Sequence, residues 1–361
     1  MNLQLVVNET LARLDQRSYL AERFFEAPTA IRRYAIGKNS ETLRISQLVG
    51  LHGVIDDFEA NASTWQGIPL VRTRDVPKDA LIANCSTSIS PVAVLKHLAA
   101  AGLYNVVGLH ELVTASKGAL AWPWFVLTQR AELHEHHDAW TNIYDSLSDD
   151  ESRQTFLDVV RFRLSSAPSY MEDYAVHIQD QYFEDFMKFT REVFVDAGAF
   201  DGDTSEGFAE RYPDYQKIIL FEPSRKNMMA ARQRLSGYRD IDYRPIGLSD
   251  SAGTLNFDQD AGSAAAVMDS EGSIISVDTL DGAVVEPVTF IKMDLEGWEM
   301  KALEGSRGHI ARDRPKLAIA VYHESPDFRL VHQFICGFGH DYDCYLRHYT
   351  QGWSETVMFF V

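Results

Sequence analysis

The character of the chain changes abruptly within "EVFVDAGAFDGDTSEGF", the segment from Glu192 to Phe208, where an apolar run becomes small, glycine-bearing and acidic. This change indicates a buried strand over 193–195 that leads into a tight loop and then a helix. Gly198 and Gly202 let the backbone of the loop approach a ligand closely. Because open parallel sheets bind ligands outside the carboxyl ends of their strands, the segment predicts a nucleotide-type site.

The charge of this loop discriminates among nucleotide ligands. It contains Asp196, Asp201 and Asp203, and no Lys or Arg occurs between Glu192 and Glu210. A phosphate cradle offers backbone N–H groups and often a lysine, so these aspartates would repel a pyrophosphate. S-Adenosylmethionine (SAM) carries a sulfonium, an ammonium and no phosphate, and the carboxylates favour it. An acidic, solvated turn is the alternative interpretation.

Three later segments extend the pattern. "KIILFEPSRKNMMAARQRL" predicts a strand ending at Glu222, which lies 26 residues after Asp196, close to the spacing at which an acidic residue reaches ribose hydroxyls. "RPIGLSDSAGTLNF" predicts a strand, a loop over 247–250 that would lie along the adenine, and a hairpin-like continuation. "VTFIKMDLEGWEMKALEG" predicts a strand over 288–293 followed by a carboxylate cluster, formed by Asp294, Glu296 and Glu299.

These motifs, together with the tail "LRHYTQGWSETVMFFV", resemble those of the FkbM family of SAM-dependent methyltransferases over about residues 180–361. The resemblance implies an α/β class I methyltransferase fold, which is Rossmann-like. Its sheet of seven strands is mostly parallel with an antiparallel last strand, and "DYDCYLRHYT" and "SETVMFFV" would form the closing hairpin.

The same resemblance assigns residues to the cofactor. The first loop would hold the methionine side, Glu222 the ribose and residues 247–249 the base, while Asp294 would face the amino group and the transferring methyl. The predicted cofactor-binding residues are Asp196, Ala197, Gly198, Ala199, Asp201, Gly202, Glu222, Pro223, Ser224, Gly247, Leu248, Ser249, Asp294 and Glu296.

The predicted catalytic residues are His323, His348 and Asp294. A hydroxyl acceptor must lose its proton to a base, and an imidazole titrates near pH 6–7. His323 follows the predicted strand "KLAIAVY" and should lie at the ligand edge of the sheet, whereas His348 is placed by the closing hairpin. Structural histidines are one alternative, and Mg²⁺ held by Asp294 and Glu296 is another that we do not adopt, so no metal ligand is assigned.

The region before residue 120 predicts a smaller α/β unit, because strand-like segments such as "IRRYAIG", "HGVIDDF" and "DALIANCS" alternate with helical ones. It resembles the small Rossmann-like module that precedes some glycan-tailoring enzymes, but only Gly37 stands where a full glycine fingerprint is expected. Ligand binding, a scaffold role and a subunit contact in a homo-oligomer all stay open for this module.

Three domains are therefore predicted. They are a small Rossmann-like α/β module over 1–119, a helical bridge over 120–190 and the methyltransferase domain over 191–361. Within the bridge, "SDDESRQTFLDVVRFRLS" predicts a helix capped by Ser148 or Asp149, and "DQYFEDFMKF" also looks helical.

The composition favours a cytoplasmic protein. Its net charge of −18, from 34 basic and 52 acidic residues, argues against nucleic acid or an anionic membrane as a partner. The three cysteines, Cys85, Cys336 and Cys344, lack metal-like spacing and are typical of reduced thiols. The amino-terminal segment lacks the basic region of a signal peptide, and no apolar stretch approaches the length of a membrane span.

The sequence thus predicts an SAM-dependent methyltransferase that methylates a hydroxyl on a sugar, glycan or secondary metabolite. One alternative is a nucleotide-sugar oxidoreductase or epimerase that uses the amino-terminal module. The other is a non-catalytic protein that senses SAM. The acceptor itself is not identified by the sequence.

Overall fold

A computed structural model of the chain describes residues 3–14, 16–59, 61–257 and 273–361. The chain divides into two compact units. Unit 1 consists of residues 1–145, 153–176 and 348–355, and unit 2 consists of residues 146–152, 177–347 and 356–361.

Unit 1 is an α/β unit built around a six-stranded sheet. Its strands are β1 (Arg33–Ile36), β2 (Gly53–Ile55), β3 (Thr64–Trp65), β4 (Ile68–Val71), β5 (Leu81–Asn84) and β6 (Val106–Gly108). The strand order is β3-β4-β2-β1-β5-β6, and every pairing is parallel except that of β3 with β4. The sheet of alternating strands and helices predicted for this region is confirmed.

The helices that begin in unit 1 are α1 (Leu3–Leu14), α2 (Tyr19–Glu26), α3 (Ser40–Val49), α4 (Pro91–Ala100), α5 (Leu109–Ala115), α6 (Trp124–Glu135) and α7 (His137–Ser146). The next helix, α8 (Asp150–Ser165), is capped by Asp149, whose side chain accepts the N–H of Ser152 at 2.7 Å. One core cluster packs Phe24 and Ile45 with Leu81 and Ala83 of β5.

Unit 2 contains the sheet on which the candidate site is built. Its strands are β7 (Val193–Ala197), β8 (Lys217–Phe221), β9 (Ile241–Arg244), β10 (Gly247–Leu248), β11 (Gly253–Phe257), β12 (Ser273–Asp278), β13 (Phe290–Met293), β14 (Lys316–Ala320), β15 (Cys344–His348) and β16 (Thr356–Phe360). Its helices are α9 (Asp203–Arg211), α10 (Arg225–Arg234), α11 (Leu280–Ala283), α12 (Glu299–Glu304), α13 (Arg307–Asp313) and α14 (Asp327–Cys336).

The seven-stranded sheet has the order β15-β16-β14-β13-β7-β8-β9. Strands β7, β8, β9, β13 and β14 pair in parallel, and β16 is antiparallel to β14. This is the mostly parallel, Rossmann-like methyltransferase sheet with its closing hairpin, and the predicted fold class is confirmed. Because β7 lies between β8 and β13, the loops after these three strands meet at one edge.

Local structure differs from the sequence prediction at two places in unit 2. Gly247 and Leu248, predicted as a loop, form strand β10, which pairs in parallel with β12 in a separate three-stranded sheet. The segment "DQYFEDFMKF", predicted as a helix, begins at the end of the 3₁₀ turn Ile178–Asp180 and contains the 3₁₀ turn Asp185–Met187, but no α-helix. Aromatic side chains of this segment contact the rest of unit 2; the ring of Phe186, for example, stacks on that of Tyr345 with the centroids 4.0 Å apart.

The predicted division at residues 119 and 190 stays a prediction. By compactness, the described parts of the predicted bridge fall into both units, since 120–145 and 153–176 belong to unit 1 and 177–190 to unit 2. Among the described residues, no helix is both long and apolar enough to cross a membrane.

Candidate functional site

The loop after β7 is closely packed on the end of β13. Gly198 has φ +77°, and a Cβ built there would lie 1.9 Å from the carbonyl oxygen of Asp294. Only glycine fits this position, because any side chain would collide with backbone. The two strand ends are therefore in direct contact, and the N–H of Asp294 donates to the carbonyl of Ala197 at 3.1 Å.

Asp196 is completely buried and paired with a lysine that the sequence analysis did not single out. Its Oδ1 lies 3.1 Å from Nζ of Lys292, and its Oδ2 accepts the hydroxyl of Ser205 at 2.6 Å. Lys292 also donates to the carbonyl of Gly198 at 2.7 Å. Burial alone would lower the pKa of Lys292, but Asp196 and Asp294 outweigh burial and raise it. The first aspartate of the loop is thus neutralised from the neighbouring strand.

The other two aspartates of the loop differ in their surroundings. Asp201 forms an ion pair with Arg234 of α10, at 2.5 Å, so its charge is also compensated. Asp203 is exposed and accepts the N–H of Thr204 at 2.7 Å. The absence of Lys and Arg between Glu192 and Glu210 therefore does not leave Asp196 and Asp201 without cations, because Lys292 and Arg234 reach them from distant segments.

Glu222 follows β8 and faces the same loop. One of its carboxylate oxygens accepts the N–H of Phe200 at 3.0 Å, and the other accepts the N–H of Ser224 at 2.7 Å. The residue is buried, and burial raises its pKa to about 7 against the effect of these two hydrogen bonds. The carboxylate of Glu222 therefore links the loop after β7 to the loop after β8, and it can be either neutral or charged near pH 7.

The segment predicted to border the base lies beside Glu222 and β13. A Cβ on Gly247 would lie 3.9 Å from Cγ of Pro223. Leu248 is buried, and the hydroxyl of Ser249 accepts the indole N–H of Trp298 at 3.3 Å. The structure thus brings residues 247–249 together with Pro223 and with the loop that follows β13.

The carboxylate cluster after β13 surrounds His323, which follows β14. Nε2 of His323 lies 3.4 Å from Asp294 and 3.4 Å from Glu296, and Nδ1 lies 3.0 Å from Glu299. Glu299 is fully buried, whereas the side chain of Glu296 is 29% exposed. Glu296 has φ +53° and precedes Gly297 at φ +92°, so a left-handed turn holds its side chain beside the imidazole.

The pKa values of the cluster are strongly displaced. Burial lowers the pKa of His323, but Glu299, Asp294 and Glu296 together raise it to about 10. Burial raises the pKa of Glu296 to about 7. An imidazole that titrates near pH 6–7, as the sequence suggested, does not fit this site, because three carboxylates stabilise its cation. Glu296, in contrast, has a pKa close to neutrality.

Two tyrosines complete the cluster. The hydroxyl of Tyr182 donates to Oδ2 of Asp294 at 2.8 Å, and that of Tyr322 donates to Oδ1 at 3.2 Å. Tyr182 lies in the segment that was predicted to be helical, where no sequence pattern links it to Asp294. Tyr322, however, directly precedes His323, so its position at the end of β14 was readable.

His348 lies at the end of β15 and belongs to unit 1 by compactness. Its Nε2 is 3.3 Å from the hydroxyl oxygen of Thr350, and its ring lies 5.3 Å from that of Tyr174. These neighbours offer hydrogen bonding and packing, and its catalytic role stays a prediction.

A metal-like arrangement also occurs in the cluster. Asp294, Glu299 and His323 each offer one ligand atom, and these atoms lie within 4.8 Å of one another. The set differs from the predicted Asp294 and Glu296 because Glu299 faces the imidazole. Since these same contacts explain a buried imidazolium, we assign no metal to them.

Comparison with known proteins agrees with this geometry. Residues 196–343 match the family model described as the methyltransferase FkbM domain. Unit 2 thus contains a region that is similar to the FkbM methyltransferase domain. The match begins at Asp196 and includes Glu222, Asp294 and His323, so the assembled strand ends all lie within it.

Solved structures extend the similarity to the whole chain. Methyltransferase FkbM from Methylobacillus flagellatus KT is 21% identical with a TM-score of 0.75, and the alignment covers 99% of this chain and 98% of that one. An rRNA methylase from Streptococcus thermophilus is 18% identical with a TM-score of 0.32, covering 47% of this chain and 85% of that chain. Fibrillarin from Aeropyrum pernix, solved with natively bound SAM, is 12% identical with a TM-score of 0.32, covering 47% and 66%.

The first of these structures shows that both units of the fold occur together in another protein. None of the curated proteins with which the sequence was compared matches it.

Proposed function

We propose that the protein is an SAM-dependent methyltransferase that methylates a hydroxyl of a sugar, glycan or secondary metabolite. The observation that carries the proposal is that Glu222 and Asp294 follow strands of one sheet and lie at the same edge of it, within the region that matches the FkbM methyltransferase domain. One carboxylate suits the ribose of a nucleoside, and the other suits its cationic end. No phosphate-binding lysine is needed for such a ligand.

The donor set fits the cofactor. Glu222 is a buried carboxylate with raised pKa, and ionised oxygens in such a site accept hydroxyl hydrogen bonds strongly. Residues 247–249 would border the base. Asp294, oriented by two tyrosine hydroxyls, would hold the ammonium group. Lys292, which could have repelled a cation, is already paired with Asp196.

SAM supplies an electrophilic methyl group. The chain must then hold the acceptor hydroxyl in line with that methyl, which can contribute much of the rate enhancement. It must also accept the hydroxyl proton. We assign this step to Glu296, because a base is most effective when its pKa lies near the working pH and that of Glu296 is about 7. His323, held as a cation beside Glu296, orients the carboxylate.

The test has two stages. First, calorimetry should give a Kd for S-adenosylhomocysteine (SAH) in the micromolar range, about −8 kcal/mol, and much weaker binding of NAD. Tighter binding of NAD would favour an oxidoreductase or epimerase instead. Second, labelled SAM should transfer its methyl to hydroxyl compounds in a panel of sugars and extracted glycans.

Binding of SAH without transfer to any acceptor, even in a complete cell extract, would favour the SAM-sensing alternative. The acidic composition supports an acceptor other than nucleic acid. The cytoplasmic location, the absence of a nucleic-acid partner and any homo-oligomer stay predictions from the sequence.

A further inference from the structure

Unit 1 contains a cavity that the methyltransferase chemistry does not use. Its volume is about 590 Å³, which is in the range of small-molecule sites. It lies at the ends of β1, β2 and β5, and its lining includes Gly37, Lys38, Asp56, Asp57, Phe58 and His97. Apolar side chains from the same strand ends, Ile36 and Ile55, form part of its wall.

The cavity occupies the position that the sheet topology favours for a ligand. Strand β1 lies between β2 and β5, and all three are parallel. The chain moves to one side of β1 to form β2 and to the other side to form β5 and β6. This reversal of strand order opens a crevice at the carboxyl ends of the strands, and nucleotides bind in such crevices.

The turn after β1 is built for close approach of backbone segments. Gly37 has φ +109°, and a Cβ there would lie 2.9 Å from the carbonyl carbon of Cys85. The following helix α3, of ten residues, is capped by Asn39, whose side chain accepts the N–H of Thr42 at 3.1 Å. Lys38 lines the cavity directly before this helix begins. A helix amino terminus and a lysine together favour an anion.

The end of β2 carries two carboxylates at the spacing expected for a ribose. Asp56 and Asp57 are 19 and 20 residues after Gly37, and about 20 residues separates the glycine turn from the ribose-binding acid in Rossmann units. Asp57 is held in place by the N–H of Thr73 at 2.8 Å and by His97 at 2.9 Å. Asp56 pairs with Lys38 at 2.7 Å.

An exposed aromatic ring lies at the mouth of the cavity. Phe58 is 95% exposed, and its backbone N–H donates a hydrogen bond to the side chain of Asp56 at 2.9 Å. Aromatic rings in such positions stack on nucleic-acid bases. The ring, the carboxylates and the lysine therefore offer surfaces for a base, a ribose and a phosphate, in that order.

We propose that this cavity of unit 1 binds a nucleoside 5′-diphosphate, with the base on Phe58, the ribose at Asp56 and Asp57, and the phosphates at Lys38 and the start of α3. The single glycine of the turn fits one nucleotide better than a dinucleotide, whose binding loop carries a fuller glycine fingerprint. The site is separate from the SAM site and does not rest on the function proposed above.

The test is calorimetric titration of the full chain with ADP, GDP, UDP and CDP, in the presence of saturating SAH. At least one nucleoside diphosphate should bind with one molecule per chain. The variant Phe58→Ala should weaken that binding about tenfold, while Tyr104→Ala, another exposed aromatic of unit 1 outside the cavity, should not. Lys38→Gln should weaken the diphosphate about tenfold and the matching nucleoside much less, because both ligands meet an Asp56 that has lost its cation but only the diphosphate loses a phosphate contact.

Absence of binding by all four diphosphates would overturn the inference. So would binding that neither Phe58→Ala nor Lys38→Gln weakens, since the ligand would then occupy another place. If SAH itself does not bind, the same titrations are made without it, and the two unit 1 variants still assign the site. Failure of the methyltransferase proposal is thereby separated from failure of this one.

Discussion

Lys292 and Asp196 face each other across neighbouring parallel strands, β13 and β7, and form an ion pair in which neither side chain is more than 4% exposed. The pair joins the two strand ends that carry the candidate site. It also removes one negative charge from the loop that the sequence alone presents as strongly acidic. Glu222 after β8 and Asp294 after β13 are then available to meet a cationic cofactor.

Replacement of Lys292 by methionine should destabilise the protein by about 3–5 kcal/mol, because it leaves a buried aspartate without its cation. The measurement is the free energy of unfolding in denaturant. Lys301→Met is the control, since Lys301 pairs with Asp250 at the surface and such pairs contribute at most about 1 kcal/mol. Equal losses for the two variants would show that the buried pair is dispensable.

Replacement of Gly198 by alanine should be far more damaging than replacement of Gly67 by alanine. The two glycines have nearly the same φ, +77° and +78°, so both variants bear a similar strain of about 1–2 kcal/mol. A Cβ on Gly67 meets nothing within 4 Å, whereas one on Gly198 collides with Asp294. We expect Gly198→Ala to lose about 1–3 kcal/mol more stability and to weaken SAH binding.

Unfolding curves and SAH calorimetry check this comparison. Equal stability of the two variants, with unchanged SAH affinity for Gly198→Ala, would contradict the close contact between the loop and Asp294.

The affinity for SAH should depend on pH through Glu222. Its pKa of about 7 means that the carboxyl is mostly neutral below pH 6 and mostly ionised above pH 8. Ribose hydroxyls favour the ionised form, so binding releases a proton and affinity increases as the pH rises through 7. Glu222→Gln should abolish this increase and cost about 1.5–3 kcal/mol of binding at pH 8.

Calorimetry at several pH values measures both effects, with Glu210→Gln, an exposed carboxylate of the same unit, as the control. Alanine is a poorer replacement for Glu222 than glutamine, because it would leave the N–H groups of both Phe200 and Ser224 without an acceptor. A pH dependence that persists in Glu222→Gln would assign the proton to another group.

The architecture of unit 2 was readable from the sequence because its signals are local. The local sequence alone locates the apolar strands that end at Glu222 and Asp294. It also locates the glycines of the first loop. The number of strands and the antiparallel last strand followed only from the family resemblance, and the strand order was not predicted, since no local pattern says that β13 lies next to β7. The strand β10 was missed because two residues carry too little periodicity to separate a strand from a loop.

The partners of the site residues could not be predicted in the same way. Lys292 pairs with Asp196, which is 96 positions earlier in the sequence. Arg234 pairs with Asp201, which is 33 positions earlier. Tyr182 reaches Asp294 from an irregular segment. Such pairings depend on the assembled fold. For the same reason the sequence did not show that three carboxylates raise the pKa of His323 to about 10.

The last prediction concerns the base. If Glu296 accepts the hydroxyl proton, turnover should fall as the pH drops below about 7, because the carboxyl is then protonated. Glu296→Gln should lower turnover by about 10²–10⁴-fold and remove this acid limb. His323→Gln should instead move the limb to higher pH, since the imidazolium lowers the pKa of Glu296 and glutamine does not. Glu324→Gln, an exposed neighbour, should leave the profile unchanged. A limb that disappears in His323→Gln but persists in Glu296→Gln would make the histidine the base.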